Sequence, residues 1–129
     1  MSVLAIVGSV VVVLAALLHV YIFVLESVRW MQPSTWRVFG VRDRDQAEVL
    51  RPMAYNQGFY NLFLAIGALA GVWLLWTDLP RAGLALALFT TACMAAAAVV
   101  LTTTGRGYLR PALIQGTLPL LGFVLLLFA

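Results

Sequence analysis

The chain has 129 residues, 64% of them hydrophobic and 10% charged, with a mean hydropathy of +1.02, which excludes a water-soluble globular domain and predicts an integral membrane protein. Its net charge of +3 comes from eight arginines, with no lysine, against five acids; a balance this small speaks for membrane topology and not for nucleic-acid binding. A single cysteine, Cys93, excludes both an intrachain disulfide and a two-cysteine redox pair.

Nine of the thirteen charged residues lie between Glu26 and Arg51, which leaves charge-free blocks of 25, 26, 24 and 19 residues at 1–25, 52–77, 82–105 and 111–129. A helix needs roughly 20 apolar residues to cross a bilayer. Four transmembrane helices are predicted, over approximately residues 2–30, 52–77, 80–104 and 110–128, in one domain covering 1–129. Strands are excluded because each block is apolar all round and an open sheet would leave backbone groups unpaired in lipid.

The first span lacks a basic leading segment and ends in HVYIFVLE without a small-residue cleavage site, so it is expected to be retained and not removed as a signal. In the following loop, 31–51, Pro33 is expected to break the first helix and Ser34 to cap a short helix lying on the membrane surface, with Trp36 and Phe39 on one side. Asp45 to Glu48, DQAE, has the form of a capping box and starts a helix that kinks or restarts at Pro52.

The second span opens with YNQGFYN, Tyr55 to Asn61, and continues to Gly67 and Gly71, a G-x-x-x-G pair that serves close packing within the chain or a homo-oligomer. In the TDLP turn that follows, Thr77 or Asp78 is the expected N-cap and Pro80 fits a first helical turn. The third span carries four successive alanines, Ala95 to Ala98, and GRGYLRP joins it to the fourth, where Pro119 withholds a hydrogen bond from the Gln115 carbonyl beside Gly116. Short turns force antiparallel neighbours, so the predicted fold is all-α: a four-transmembrane-helix up-and-down bundle with a short interfacial loop helix.

Seven arginines flank one end of this bundle (Arg29, Arg37, Arg42, Arg44, Arg51, Arg106 and Arg110) and Arg81 alone flanks the other. The bias predicts a multi-pass membrane protein with the long loop in the cytoplasm and both termini outside it. Trp30, Trp36, Tyr55 and Tyr108 then fall near the cytoplasmic boundary, with Trp73 and Trp76 near the outer one, as interface anchors.

Polar residues follow the same asymmetry. The cytoplasmic halves hold His19, Tyr21, Glu26, Asn56, Gln57, Tyr60, Asn61, Thr102, Thr103, Thr104 and Gln115, whereas the outer halves hold little beyond Ser2, Ser9, Thr77, Thr90 and Thr91. Counting inward from the arginines at ~1.5 Å per residue puts His19 and Asn61 at a similar depth of roughly 15 Å, and Gln57 and Gln115 in a shallower layer near Glu26. Intramembrane polar groups need partners, and two arrangements supply them: hydrogen bonds between the helices, or a polar cavity open to the cytoplasmic side. Under the second, His19, Glu26, Asn56, Gln57, Tyr60, Asn61 and Gln115 are the candidate ligand-binding residues, orienting a small polar or amphiphilic molecule or a lipid. The alternatives are a small proton-coupled exporter and a structural subunit of a membrane complex.

Along the first helix Glu26 and His19 are separated by roughly 10 Å, too far for a direct acid–base pair, so no catalytic residue is assigned. With one histidine and no H-E-x-x-H, neither a metal nor a cofactor is expected.

Four segments, HVYIFVLE at 19–26, TWRVFG at 35–40, NQGFYNLFLAIG at 56–67 and QGTLPLLG at 115–122, are similar to those of a family of small bacterial membrane proteins catalogued as domain of unknown function 1304. The resemblance spans nearly the whole chain, and N-Q-G-x-Y-N is its most specific part. It implies a four-helix inner-membrane protein and carries no activity with it.

Overall fold

A computed structural model describes residues 2–129, the side chain of Arg106 excepted. Its helices are α1 (Val3–Phe23), prolonged by a wider turn at Val24–Val28, α2 (Pro33–Val38), α3 (Arg44–Leu75), α4 (Pro80–Thr102) and, after a 3-10 turn at Arg106–Tyr108, α5 (Leu109–Leu127). Four of these are long and apolar enough to cross a membrane: Val3–Val28, Arg44–Leu75, Pro80–Thr102 and Leu109–Leu127. The chain is a membrane protein with an all-α, four-helix core.

Around the bundle α1 packs between α3 and α5, and α4 packs between the same two helices from the opposite corner. The interior is made of small residues. Ala15, Ala16, Ala65, Ala68 and Ala87 are buried around Val12, Met94 and Leu126, while Leu14, Leu17, Phe63, Phe89, Val99 and Leu120 face outward. Lipid solvates the outward side chains as well as a protein core would, so close backbone approach, and not burial of large side chains, holds such helices together.

Gly67 and Gly71 take part in this packing within the chain. A Cβ on Gly67 would press on the Thr90 side chain, and one on Gly71 would lie 2.6 Å from the Ala87 nitrogen. Both contacts join α3 to α4. At the same end of the bundle the Trp76 indole donates to the Ser9 hydroxyl at 3.0 Å, tying α3 to α1.

The loop departs from the sequence reading in several places. Pro33 begins α2 at its first turn after Gln32, and Ser34 lies within the helix without capping it, because proline's fixed φ and missing N–H suit a helix start. Gly40, at φ 77°, supplies the left-handed residue just beyond the end of α2. The following cap is Asp43, not Asp45: its carboxylate accepts from the Gln46 nitrogen at 2.8 Å, and Gln46 Oε1 accepts from the Arg42 nitrogen at 3.1 Å. From there α3 runs through Pro52 as one helix of 32 residues, roughly 48 Å long at the α-helical rise. That exceeds a hydrocarbon core of ~30 Å, which leaves its charged first turns room to stand outside.

Trp30 and Trp36 are not exposed anchors. Both are buried with Val41, Ala47 and Ala54 in a second cluster, where the Trp30 indole donates to the Ala47 carbonyl at 2.9 Å. Tyr55, Tyr108, Trp73 and Trp76 do reach the surface. Between α3 and α4 the cap also differs from expectation: Leu79 precedes Pro80 as N-cap, and Thr77 Oγ1 accepts from the Leu79 nitrogen at 3.3 Å while donating to the Leu74 carbonyl at 2.8 Å.

A polar cleft at the arginine-rich end

Where α1 ends, the Arg29 nitrogen donates to the Val24 carbonyl at 2.8 Å, five residues back, so the last turn is wider than an α-turn. Two consecutive side chains of that turn engage α3. Glu26 Oε1 accepts from the Asn61 side-chain nitrogen at 2.7 Å, and the Ser27 hydroxyl donates to the Tyr55 carbonyl at 2.7 Å. Gly58, one turn before Asn61, makes the approach feasible: a Cβ there would collide with Ser27 Oγ and lie 3.1 Å from Glu26 Cβ.

In front of this contact is an open cleft of about 750 Å³. Ile22 and Glu26 of the first span line it with Asn56, Gln57, Tyr60 and Asn61 of α3, Ala97, Val100 and Leu101 of α4, and Gln115 of α5; Phe39 and Thr104 come from the adjoining loops. Glu26 is 92% buried (8% exposed), Asn61 and Gln115 are half-buried, and Asn56, Gln57, Tyr60 and Thr104 are exposed. The polar wall therefore grades from an accessible mouth to a buried carboxyl. The apolar wall, Ile22, Met53, Leu64, Val100 and Leu101, shares the same space.

Six of the seven candidates from the sequence thus border one volume. His19 does not. It is 1% exposed, and its Nδ1 lies 2.8 Å from the Ala15 carbonyl of its own helix, where an Nδ1–H donates. The depth comparison that paired His19 with Asn61 is corrected as well, since Asn61 meets Glu26. Counting from Arg51 took the last charged residue as the water boundary, but α3 starts at Arg44, seven residues earlier, and the antiparallel register places 61 beside 26.

Tyr21 points outward at 58% exposure. Thr102, Thr103 and Thr104 turn their hydroxyls back onto the carbonyls of Val99, Val100 and Leu101 at 2.6–2.7 Å, satisfying acceptors that a helix end leaves free. Ser27 and Gly58 were invisible as a pair in sequence, since neither a lone serine after Glu26 nor a glycine in a membrane helix marks a partner. The apolar wall carried no signal either, because Val100 and Leu101 look like every other residue of their span.

Among the described residues no group of three or more His, Cys, Asp or Glu side chains is placed to hold a metal ion. The ion pair found among the same residues, Arg44 with Glu48 at 3.8 Å, is exposed and lies along one helix face away from the cleft. Glu26 thus has an amide partner, Asn61, and no cationic one among the described side chains.

No curated protein and no solved structure matches the chain. A family model described as "Protein of unknown function (DUF1304)" matches residues 13–127, a stretch that takes in α1 from Val13 onward, the loop, α3, α4 and all of α5. By that match, the chain belongs to the DUF1304 family.

Proposed function

We propose that the protein is a multi-pass inner-membrane binding protein that takes up a small amphiphile in the cleft between α3 and α4, with the arginine-rich end in the cytoplasm. The observation that carries this reading is one volume lined both by amides and a buried carboxyl and by aliphatic side chains. Its size falls in the range of about 300–1,000 Å³ usual for small-molecule sites. Lined by residues of all four membrane-crossing helices, it suits an amphiphile: a headgroup reaches Glu26 and Gln115 while a chain follows Leu64, Val100 and Leu101. Positive-inside bias supports the orientation.

An exporter with alternating access fits less well. Towards the opposite end, Thr90 Oγ1 donates to the Leu86 carbonyl at 2.9 Å and Thr91 Oγ1 to the Ala87 carbonyl at 2.7 Å, both within α4. Those hydroxyls offer a translocated polar group little to hold.

Native mass spectrometry of protein extracted gently from its host tests the reading. A stoichiometric small-molecule or lipid adduct is expected on the wild type and absent from Asn61→Leu, with helix content unchanged. A wild type that carries no adduct, or an adduct that survives the substitution, overturns it.

A further inference from the structure

The charge of the cleft narrows the chemistry of its occupant, and this step rests on the binding reading above. Among the described residues, the only ionisable carboxyl in the wall is Glu26, and no arginine lines it. Arg29, Arg51 and Arg110 are all exposed, outside the lining. An anionic headgroup would therefore face a carboxyl with no cation among the described lining residues to offset it, which low-dielectric surroundings make costly.

The bonding around Glu26 is also incomplete in a specific sense. Asn61 donates to Oε1 at 2.7 Å and also to the Gln57 carbonyl at 3.2 Å, so both N–H donors of its amide are engaged, one on the carboxyl and one on its own helix. Oε2 has no hydrogen-bond donor among the described residues, while the group as a whole is more than nine-tenths buried. A carboxyl held by one amide, facing a cleft, leaves room for one further donor, and a charged donor makes the stronger bond. Around it the cleft adds acceptors for the remaining hydrogens of such a donor: the side-chain carbonyls of Gln57 and Gln115 and the Tyr60 hydroxyl.

We infer that the cleft selects amphiphiles with an amine headgroup, seated with the ammonium against Glu26 and the chain along the α3–α4 opening, over neutral and anionic amphiphiles of the same chain length. Ammonium to carboxylate is the pairing that both neutralises Glu26 and fills its free acceptor. Asn61 acts as a positioning residue, since its amide orients the carboxyl without needing to touch the ligand.

The test uses the full chain in phosphatidylcholine nanodiscs with three chain-matched probes, dodecylamine, dodecan-1-ol and dodecanoate, and reads the retained adduct of each by native mass spectrometry across a concentration series. The amine is expected to bind roughly tenfold or more tightly than the alcohol, as one charge-assisted hydrogen bond would give, with the acid weakest. Glu26→Gln, which keeps the shape, is expected to erase the amine preference while alcohol binding persists. Equal retention of all three probes by the wild type, lost in Asn61→Leu, would overturn the amine inference and leave the binding reading standing. Preference for dodecanoate overturns the inference in the same way. No retained probe at all removes both. The wild-type series decides the matter even where a variant fails to fold.

Discussion

The two ends of this bundle are built from the same apolar helices and solve opposite problems. At the end bearing Arg81, the seam between α3 and α4 has its hydroxyls turned onto their own helix, as with Thr90 and Thr91, and closes on glycine and alanine, as Gly71 does against Ala87, while Trp76 to Ser9 ties α3 to α1. At the arginine-rich end, side chains reach across instead: Asn61 to Glu26, Ser27 to the Tyr55 carbonyl, Trp30 to the Ala47 carbonyl. Between α3 and α4, packing without polar exchange yields a closed seam. Bonding across helices goes with an open cleft, lined by α3 and α4 together with Glu26 and Gln115.

The comparison breaks first at the closed seam. In Gly71→Val a Cβ would lie 2.6 Å from the Ala87 nitrogen and 2.9 Å from its Cα, backbone atoms with no rotamer to escape by. Stability is expected to fall by about 3 kcal/mol, the upper end of typical overpacking costs. Unfolding in mixed micelles followed by circular dichroism would show it as an earlier midpoint. A neutral result would mean that α3 and α4 are not in contact there, and the closed end would lose its main support.

At the open end the analogous change is softer and reversible. Gly58→Ala presses on Ser27 Oγ, the end of a small side chain, and on Glu26 Cβ at 3.1 Å. A loss of roughly 1–2 kcal/mol is expected. Combining it with Ser27→Ala removes the worst contact and should restore a large part of that loss, a coupling that a double-mutant cycle measures. Strict additivity of the two changes would show that the turn at Val24–Val28 does not rest on Gly58.

These glycines also mark how far the sequence could be read. The spans were legible because charge and lipid sort residues before any packing does, and the polar half was legible because amides in an apolar run stand out. Glu26 beside Asn61 was not, since register depends on where α3 starts, and Asp43 hides that start by capping two residues ahead of the more conspicuous DQAE. His19 was misleading for the reverse reason. A ring nitrogen in a span looks functional until the backbone carbonyl four residues back is seen to accept from it. At Pro52 the sequence left a kink and a restart both open, and α3 continues through it, leaving a carbonyl at Glu48 without its helical donor in charged turns that can stand outside lipid.

The finest division between the ends separates stability from binding. Asn61→Leu removes a bond between helices and should cost ~0.6–2 kcal/mol, the range for polar contacts inside membranes. Thr90→Val removes a hydroxyl that bonds only α4's own carbonyls among the described residues, and should cost under ~0.6 kcal/mol on the same scale. The two losses are close enough to overlap in an unfolding experiment, so stability alone does not distinguish the residues. Adduct retention does: it should vanish in Asn61→Leu and survive in Thr90→Val, because the first side chain fixes the Glu26 carboxyl at the cleft and the second is buried away from it. Equal retention in both variants would reduce Asn61 to one more interhelical bond, and the open end would then differ from the closed one in shape without differing in purpose.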